Sequence, residues 1–253
     1  MKTVLALVAL AGAASASLAD FEQAQLHSHI YIDALTGVQY DSPRDNEFVG
    51  TVHDNTTTAP ISGISSTNLA NIWGDDWVGA GTGTVDSVSF SVFNSSSSAN
   101  VLATATVAVR FWDNTDATGA TLLGLQGGFN GNVDFSGGVI GGGLGKGFYS
   151  IVTFTGLSSL GINLLDTYNI VTQQVTALTG GATRLGVVLL SAPTVGTGFT
   201  DFYQSPGSAG AGFYNLAGGA TPAYIANKTT VIPAPGALAM LGLGGLVAGR
   251  RRR

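Results

Sequence analysis

Tryptophan and aspartate occur together in this sequence in a pattern that suits sugar binding. The chain has three tryptophans, and each lies within two residues of an aspartate. A tryptophan ring offers an apolar face on which a sugar ring can stack, and a carboxylate accepts hydrogen bonds from sugar hydroxyls. We therefore consider a glycan-binding site, with packing of the tryptophans in the core as the alternative. The candidate residues are Trp73, Asp75, Asp76, Trp77 and Trp112.

Aspartate pairs could also catalyse glycoside hydrolysis, which needs two carboxyl groups about 5–10 Å apart. The available pairs are Asp75 with Asp76 and Asp113 with Asp116, and both lie in turn-like sequence. Neighbouring residues of a strand point to opposite faces, so an adjacent pair does not converge. Other catalytic motifs are missing, because "GLSSLG" lacks the G-x-S-x-G spacing and "GGGLGKG" lacks that of a phosphate-binding loop. We predict a protein that is not an enzyme.

One acidic turn, "DNTDATG", could bind calcium. It places Asp113, Asn114 and Asp116 close together, and their side-chain oxygens are the hard ligands that Ca²⁺ prefers. The spacing is not that of an EF-hand loop, and a hairpin loop stabilised by Asx turns explains the same residues. The sequence therefore predicts no cofactor, with calcium bound at this turn as the alternative.

Three histidines complete the set of candidate metal ligands. His27, His29 and Asp33 share one parity in "LHSHIYID", so they would share one face of a strand and could bind zinc. A polar, exposed N-terminal strand explains them equally well. His53 stands alone in "TVHDNTTT" and is predicted to lie on the surface.

Alternating apolar and polar residues predict that the body of the protein is all-β. In "VDSVSFSVF" the apolar residues from Val88 to Val92 share one face, and serines occupy the other. "VLATATVAVRFW" alternates in the same way, with Val107, Val109 and Phe111 inward and Arg110 outward. Turn-rich segments, among them "GGFNGNVDFSGG", separate the predicted strands. We predict a jelly-roll-like β-sandwich with no long helix between the two ends of the chain.

The charge distribution argues against nucleic acid as a partner. Charged residues make up 10% of the 253, and five of the ten basic residues lie at the two ends of the chain. Between Asp20 and Gly249, five basic residues face all 15 acidic ones. Such an acidic body repels phosphate backbones. The chain contains no cysteine, which excludes disulfides and thiolate metal sites.

The first 19 residues have the pattern of a signal peptide. Lys2 precedes an apolar stretch from Val4 to about Ala14, and small residues follow at two candidate cleavage sites, after Ala16 and after Ala19. The alternative is a buried N-terminal helix. We predict a signal helix over residues 1–19 that directs export.

The last 25 residues have the pattern of a short membrane-inserting tail. Residues 236–249 are all Gly, Ala, Leu, Met or Val, and four arginines follow. A helix of this length spans about 21 Å, less than the roughly 30 Å of a hydrocarbon core. The arginines favour a cytoplasmic end, and Pro233 and Pro235 keep the helix from extending backward. We predict a short apolar helix that inserts transiently, with a permanent tail anchor as the alternative.

"IPAPGALAMLGLGGLVAGRRRR" resembles the PEP-CTERM sorting signal of Gram-negative and planctomycete-type bacteria. The Pro-Glu-Pro-like motif falls on Pro233, Ala234 and Pro235, with alanine in place of the usual glutamate, and Gly236 follows it. The basic cluster falls on Arg250, Arg251, Arg252 and Arg253. The resemblance implies processing by a membrane exosortase, and many such proteins accompany exopolysaccharide.

The body is similar, more loosely, to PEP-CTERM exoproteins of unknown function. Within residues 63–116 the similarity rests on "GDD", "SVSF" and "VRFWD". We predict a signal peptide (1–19), a β-sandwich body (20–228) and a sorting tail (229–253). The predicted protein is exported to the cell envelope or the extracellular matrix, where its role is structural or adhesive. A carbohydrate-binding module and a secreted glycan-active enzyme are the alternatives.

Overall fold

The fold is described from a computed structural model. The structure describes residues 21–22, 25–40, 50–96, 100–113, 122, 124–137, 142–165, 168–199, 201–205, 212–215 and 224–232, and every structural statement below concerns these residues. The predicted signal helix and the whole sorting motif, from Pro233 to Arg253, lie outside them, as do Asn114 and Asp116.

The described part of the chain is all-β, as predicted, with two sheets and one short 3-10 helix at Leu157–Leu160. The first sheet contains β1 (Phe21–Glu22), β2 (Gln25–Asp33), β3 (Gln39–Tyr40), β4 (Thr51–Asp54), β5 (Pro60–Ser66), β7 (Gly83–Asn94), β10 (Phe148–Thr155), β11 (Asn163–Leu164), β13 (Leu185–Leu190), β17 (Tyr224–Ile225) and β18 (Asn227–Ile232). The second contains β6 (Ile72–Val78), β8 (Leu102–Trp112), β9 (Leu125–Asp134), β12 (Tyr168–Gly180), β14 (Thr197–Gly198), β15 (Asp201–Ser205) and β16 (Gly212–Asn215).

The first sheet is organised around β7. Its main order is β1-β5-β13-β7-β10-β2-β3, and β11 and β18 also pair with β7. The pairing is antiparallel except between β10 and β2, which run parallel. β18 ends at Ile232, so the first sheet extends past residue 228, the predicted end of the body.

The second sheet has the order β16-β15-β6-β12-β8-β9, and β14 also pairs with β6. Its long strands pair antiparallel, with register shifts in the β12–β8 and β8–β9 ladders, and directly opposed residues share a face. β9 is a strand although its sequence, rich in glycine and asparagine, was predicted to be turn-rich. The close approach of other groups explains its glycines: a Cβ on Gly131 would overlap the Phe154 ring, and one on Gly128 would overlap the Arg110 side chain.

Apolar side chains from both sheets meet in a common core. The predicted inward residues of β7 and β8, among them Phe90, Val109 and Phe111, are buried there as expected. Phe154 of β10 stacks on Phe90, with ring centroids 6.0 Å apart, and meets the edge of Phe129, at 5.0 Å. Such pairs add about 1 kcal/mol each to the burial of the rings.

The serine face of β7 is buried as well, which the alternation alone does not reveal. Ser87, Ser89 and Ser91 are each at most 3% exposed. Their hydroxyls are satisfied by neighbouring strands: Ser89 bonds Thr153 at 2.8 Å, and Ser91 accepts a hydrogen bond from the Val188 amide at 2.9 Å. Serine is therefore used here to crosslink buried strands rather than to face water.

Candidate functional site

Strand β6 separates the predicted glycan-binding residues onto two faces of the second sheet. The Asp75–Asp76 pair lies in the middle of this strand and not in a turn, which corrects the sequence-based expectation. Asp75 is directly opposite Val171, a core residue, so Asp75 faces the first sheet. Asp76 is opposite Ile170 and faces away from it. The two adjacent carboxylates therefore do not converge.

Trp73 and Trp77 share the inner face with Asp75 and are buried. Trp73 is 6% exposed and packs against Phe202, and Trp77 is 0% exposed. Their rings contribute to the core, which was the alternative that the sequence left open. A sugar cannot stack on either ring while the sandwich is closed.

His53 lies in the core, so the prediction that it is a surface residue is wrong. Its imidazole is 0% exposed and stacks on Trp77, with ring centroids 4.9 Å apart. Neither ring nitrogen has a hydrogen-bond partner among the described residues. Burial lowers the pKa of His53 to about 4, partly opposed by the charge of Asp54, so the ring is neutral near pH 7. The polar sequence around His53 conceals this position, because Trp77 comes from a different strand.

Asp75 places a carboxyl group in the core. It is 1% exposed, and neither carboxylate oxygen has a hydrogen-bond partner of ordinary geometry among the described residues. Burial raises its pKa well above the usual range, the charges of Asp76 and Asp201 raise it further, and the nearby amides of Asp76 and Ile225 oppose the rise. The protonated acid is therefore favoured in the folded state.

Asp76, Tyr168 and Asp201 form an acidic cluster on the outer face of the second sheet. The Tyr168 hydroxyl donates a 2.6 Å hydrogen bond to Asp76 Oδ2. Tyr203 pairs with Gly74, and Asp201, two residues earlier in β15, lies close enough to Asp76 for its charge to act on that carboxyl group. Burial raises the pKa of Asp76 to about 6, with the bond from Tyr168 opposing and the charge of Asp201 adding to the rise. Sequence reasoning missed Tyr168 and Asp201, because only the pairing of distant strands brings them to Asp76.

Trp112 lies on this same outer face, in one row with Asp76. Trp112 is opposite Ile170, and Ile170 is opposite Asp76, so one strand separates the two residues. The Trp112 ring is half-buried and donates from Nε1 to Thr172 Oγ1 at 3.0 Å. Of the three tryptophans, Trp112 is the one that the structure leaves accessible.

A second set of polar side chains continues the outer face along β8 and β9. Arg110 is held in place by three bonds: Nη1 donates to the carbonyls of Val109 and Phe129, and Nη2 donates to Asn130 Oδ1 at 3.0 Å. Thr106 donates to Asn132 Oδ1 at 2.8 Å. Both asparagine side chains are exposed, and each retains an amide group that can donate to a ligand. We call Trp112, Arg110, Asn130, Asn132 and Thr106 the polar face.

Of the predicted metal ligands, Asn114, Asp116 and the side chain of His27 lie outside the described residues. The described residues contain no group of three or more His, Asp, Glu or Cys side chains that could hold an ion. Asp33 Oδ1 accepts hydrogen bonds from the Leu35 and Thr36 amides, as in an Asx turn, while His29 is exposed on the same strand. Asp113 closes the β8–β9 hairpin through a 2.8 Å bond from its amide to Gly124.

Comparison with known proteins gives no relative for this chain: no family model matches it, and neither a curated protein nor a solved structure does. None of the helices in the described residues is long and apolar enough to span a membrane. The geometry of the polar face is therefore the structural basis for a functional proposal.

Proposed function

We propose that this protein is an exported, non-catalytic component of the cell envelope or extracellular matrix that binds glycan on the polar face of a jelly-roll-like sandwich. The observation that carries the proposal is the combination of one accessible tryptophan with ordered amide and guanidinium groups. Trp112 supplies an apolar stacking surface, and Arg110, Asn130 and Asn132 supply hydrogen-bonding groups suited to hydroxyls. An acidic body with few charges on this face suits neutral sugars better than phosphate.

The rigidity of the polar face supports binding. Each of its long side chains is already fixed by a bond to a neighbouring strand, as Trp112 is by Thr172 and Asn132 by Thr106. Binding a ligand therefore requires little further ordering of these side chains, and the entropic cost is smaller than it would be on a mobile loop. Flat, regularly spaced donors on neighbouring strands also fit an extended polymer, whose repeating units present hydroxyls at regular intervals.

Two substitutions test the glycan proposal. Asn132→Ala is expected to weaken binding to the host exopolysaccharide about 3- to 10-fold, because one hydrogen bond contributes about 1 kcal/mol. Trp112→Ala is expected to weaken it at least about tenfold through loss of stacking. The measurement is affinity electrophoresis of the full chain in gels containing the polysaccharide.

The matched control is Asn163→Ala. Asn163 is also exposed and also accepts a hydrogen bond from a threonine, Thr84, at 2.7 Å, but it lies on the first sheet. It should bind like the wild type. Equal binding by all three variants, with unchanged thermal unfolding, would rule out the polar face as the site.

A glycan-active enzyme is the second candidate, favoured by the convergence of Asp76 and Asp201. Asp76, with a pKa of about 6, would be protonated below about pH 6 and could then act as a general acid. However, it is 4% exposed, and one of its oxygens is already bonded to Tyr168. This burial favours the non-catalytic proposal. That proposal would be overturned if the wild type, but not Asp201→Asn, released reducing ends from the host exopolysaccharide.

Delivery to the surface rests on the ends of the sequence. We propose that the signal peptide (1–19) directs export and that an exosortase-type enzyme recognises the tail from Pro233 to Arg253 while it is inserted in the inner membrane. Mass spectrometry of the mature protein should show loss of the tail after about Pro235 in the host, and retention of Arg253 when the exosortase is deleted. Retention of Arg253 in the membrane fraction of both strains would instead identify a simple tail anchor.

A further inference from the structure

Strand β9 is the last strand of the second sheet and lacks the usual protection of an edge. No described strand pairs with its outer side. Exposed edge strands normally carry charges, prolines or bulges that prevent pairing with another chain. β9 has one bulge, at Gln126, where its pairing with β8 shifts. From Gly127 to Val133 the strand is regular and contains no charged residue and no proline.

The hydrogen-bonding groups on this free edge can be identified. The Phe135 amide donates to the Ala103 carbonyl at 2.8 Å, and in an antiparallel ladder this bonding position recurs at every second residue. The N–H and C=O groups of Gly128, Asn130 and Asn132 therefore point away from β8. No described group forms a hydrogen bond with them.

At Asp134, the next residue whose main-chain N–H and C=O point outward, both groups already have a hydrogen-bond partner. The side-chain amide of Gln39 lies against it, with Nε2 donating to the Asp134 carbonyl at 2.8 Å and Oε1 accepting from its amide at 3.1 Å. Gln39 thus imitates the peptide group of a neighbouring strand and ends the free edge at Asp134. The open segment is the three positions before it.

We infer that β9 pairs antiparallel with β9 of a second copy of this chain, about a two-fold axis at Asn130. This register opposes Asn130 to itself and Gly128 to Asn132, giving about six main-chain hydrogen bonds. On the inner side of the strand it opposes Phe129 to Gly131 of the second copy. The pairing ends before Asp134, whose edge groups bond Gln39, so no two carboxylates are opposed.

The size and charge pattern of β9 explain why a second copy fits this edge. Large and small residues alternate so that each bulky side chain meets a glycine of the second copy, as Val133 meets Gly127. A neutral strand also lets two acidic bodies approach without opposing charges at the seam. The pairing would join two polar faces into one surface, which would give a polymer two linked binding sites. The inference does not depend on glycan binding.

Cysteine crosslinking tests the register, because the chain has no cysteine of its own. In the proposed pair the two Asn130 Cα atoms lie about 5.5 Å apart, within the range of a disulfide. Asn130→Cys in the full chain is therefore expected to form a disulfide-linked dimer under mild oxidation. Asn132→Cys is the matched control, because the two copies of this residue lie about 14 Å apart and should remain reduced.

Sedimentation velocity of the unmodified full chain provides the second measurement. We expect a monomer–dimer equilibrium at concentrations up to about 100 μM, and a monomer for Asn130→Pro, whose missing amide points outward and not toward β8. Unchanged thermal unfolding of this variant shows that the strand itself is intact. A wild type that remains monomeric, or equal crosslinking of Asn130→Cys and Asn132→Cys, would overturn the inference.

Discussion

Replacing Asp75 with asparagine is expected to raise the melting temperature at pH 7.5 by about 4–8 °C, which corresponds to about 2 kcal/mol for a domain of this size. The wild-type carboxyl group must be transferred from water, where it is ionised, into a site without a hydrogen-bond partner of ordinary geometry among the described residues. Asparagine has nearly the same shape and no charge to lose. Its amide still lacks partners, which is why we expect a moderate gain and not a larger one.

The pH dependence distinguishes this explanation from a packing effect. Because the folded-state pKa of Asp75 is raised, its contribution to stability is fully present below its unfolded value near 3.8 and is lost as the pH rises through the folded value. The wild type should therefore become less stable as the pH rises from that unfolded value toward the folded one. Asp75→Asn should remove most of this slope.

The pKa shift of His53 changes stability with pH in the opposite direction to that of Asp75, and it therefore determines the pH range in which the two effects can be separated. Its folded pKa is about 4, below the ordinary 6.5, so stability is lost as the pH falls from 6.5 toward 4. The raised pKa of Asp76, about 6, acts against this loss in the same range. Thermal unfolding is best compared between pH 6.5 and 8.5, where the His53 contribution is constant.

Asp134→Asn is the matched control for Asp75→Asn. Asp134 is exposed, and hydrogen bonds from Ser136 lower its pKa. Removing this charge should leave the melting temperature unchanged or slightly lower at pH 7.5. If Asp75→Asn destabilises the protein as much as Asp134→Asn does or more, the buried carboxylate has a stabilising partner, and the argument is wrong.

The sequence predicts the strands well where alternation is strong. β7 and β8 were identified because their apolar residues occur at every second position, and the structure places Phe90 and Phe111 in the core. β9 was missed because glycine carries no side chain and so leaves no alternation to detect. Gly128 and Gly131 are required by the close approach of Arg110 and Phe154, which come from other strands.

The candidate site was harder to predict, because it depends on strand pairing. Alternation along β6 is enough to place Asp75 and Asp76 on opposite faces, but it does not say which face is inside. That choice is made by the neighbouring strands, which bury Trp77 against His53 and bring Asp201 to Asp76. Local sequence therefore identified aspartates and tryptophans as candidates, and tertiary packing decided that Trp112 and Asp76 face outward.

Replacing Gly186 with alanine is expected to lower the free energy of unfolding by about 3 kcal/mol or more. Gly186 lies in β13, between Ser65 of β5 and Phe93 of β7. A Cβ at this position would overlap the Ile64 carbonyl oxygen and crowd the Ser65 Cα atom. These are backbone atoms in a paired strand, so the clash can be relieved only by separating β13 from β5. Chemical denaturation followed by tryptophan fluorescence measures the change.

Alanine substitutions at two other glycines provide comparisons for Gly186→Ala. They also keep the prediction testable if Gly186→Ala does not fold. Gly63→Ala would crowd the Phe93 ring, which is a side chain and can shift, so we expect a smaller loss of about 1–2 kcal/mol. Gly137 is exposed, with no atom within 4 Å of an added Cβ, and its replacement by alanine should change stability by less than about 0.5 kcal/mol. We therefore expect the loss of unfolding free energy to be largest at Gly186, smaller at Gly63 and smallest at Gly137. The order follows because the added Cβ meets backbone atoms at Gly186, a side chain at Gly63 and no atom at Gly137. Equal effects at Gly186 and Gly137 would mean that β13 and β5 are not held at the spacing on which the sandwich depends.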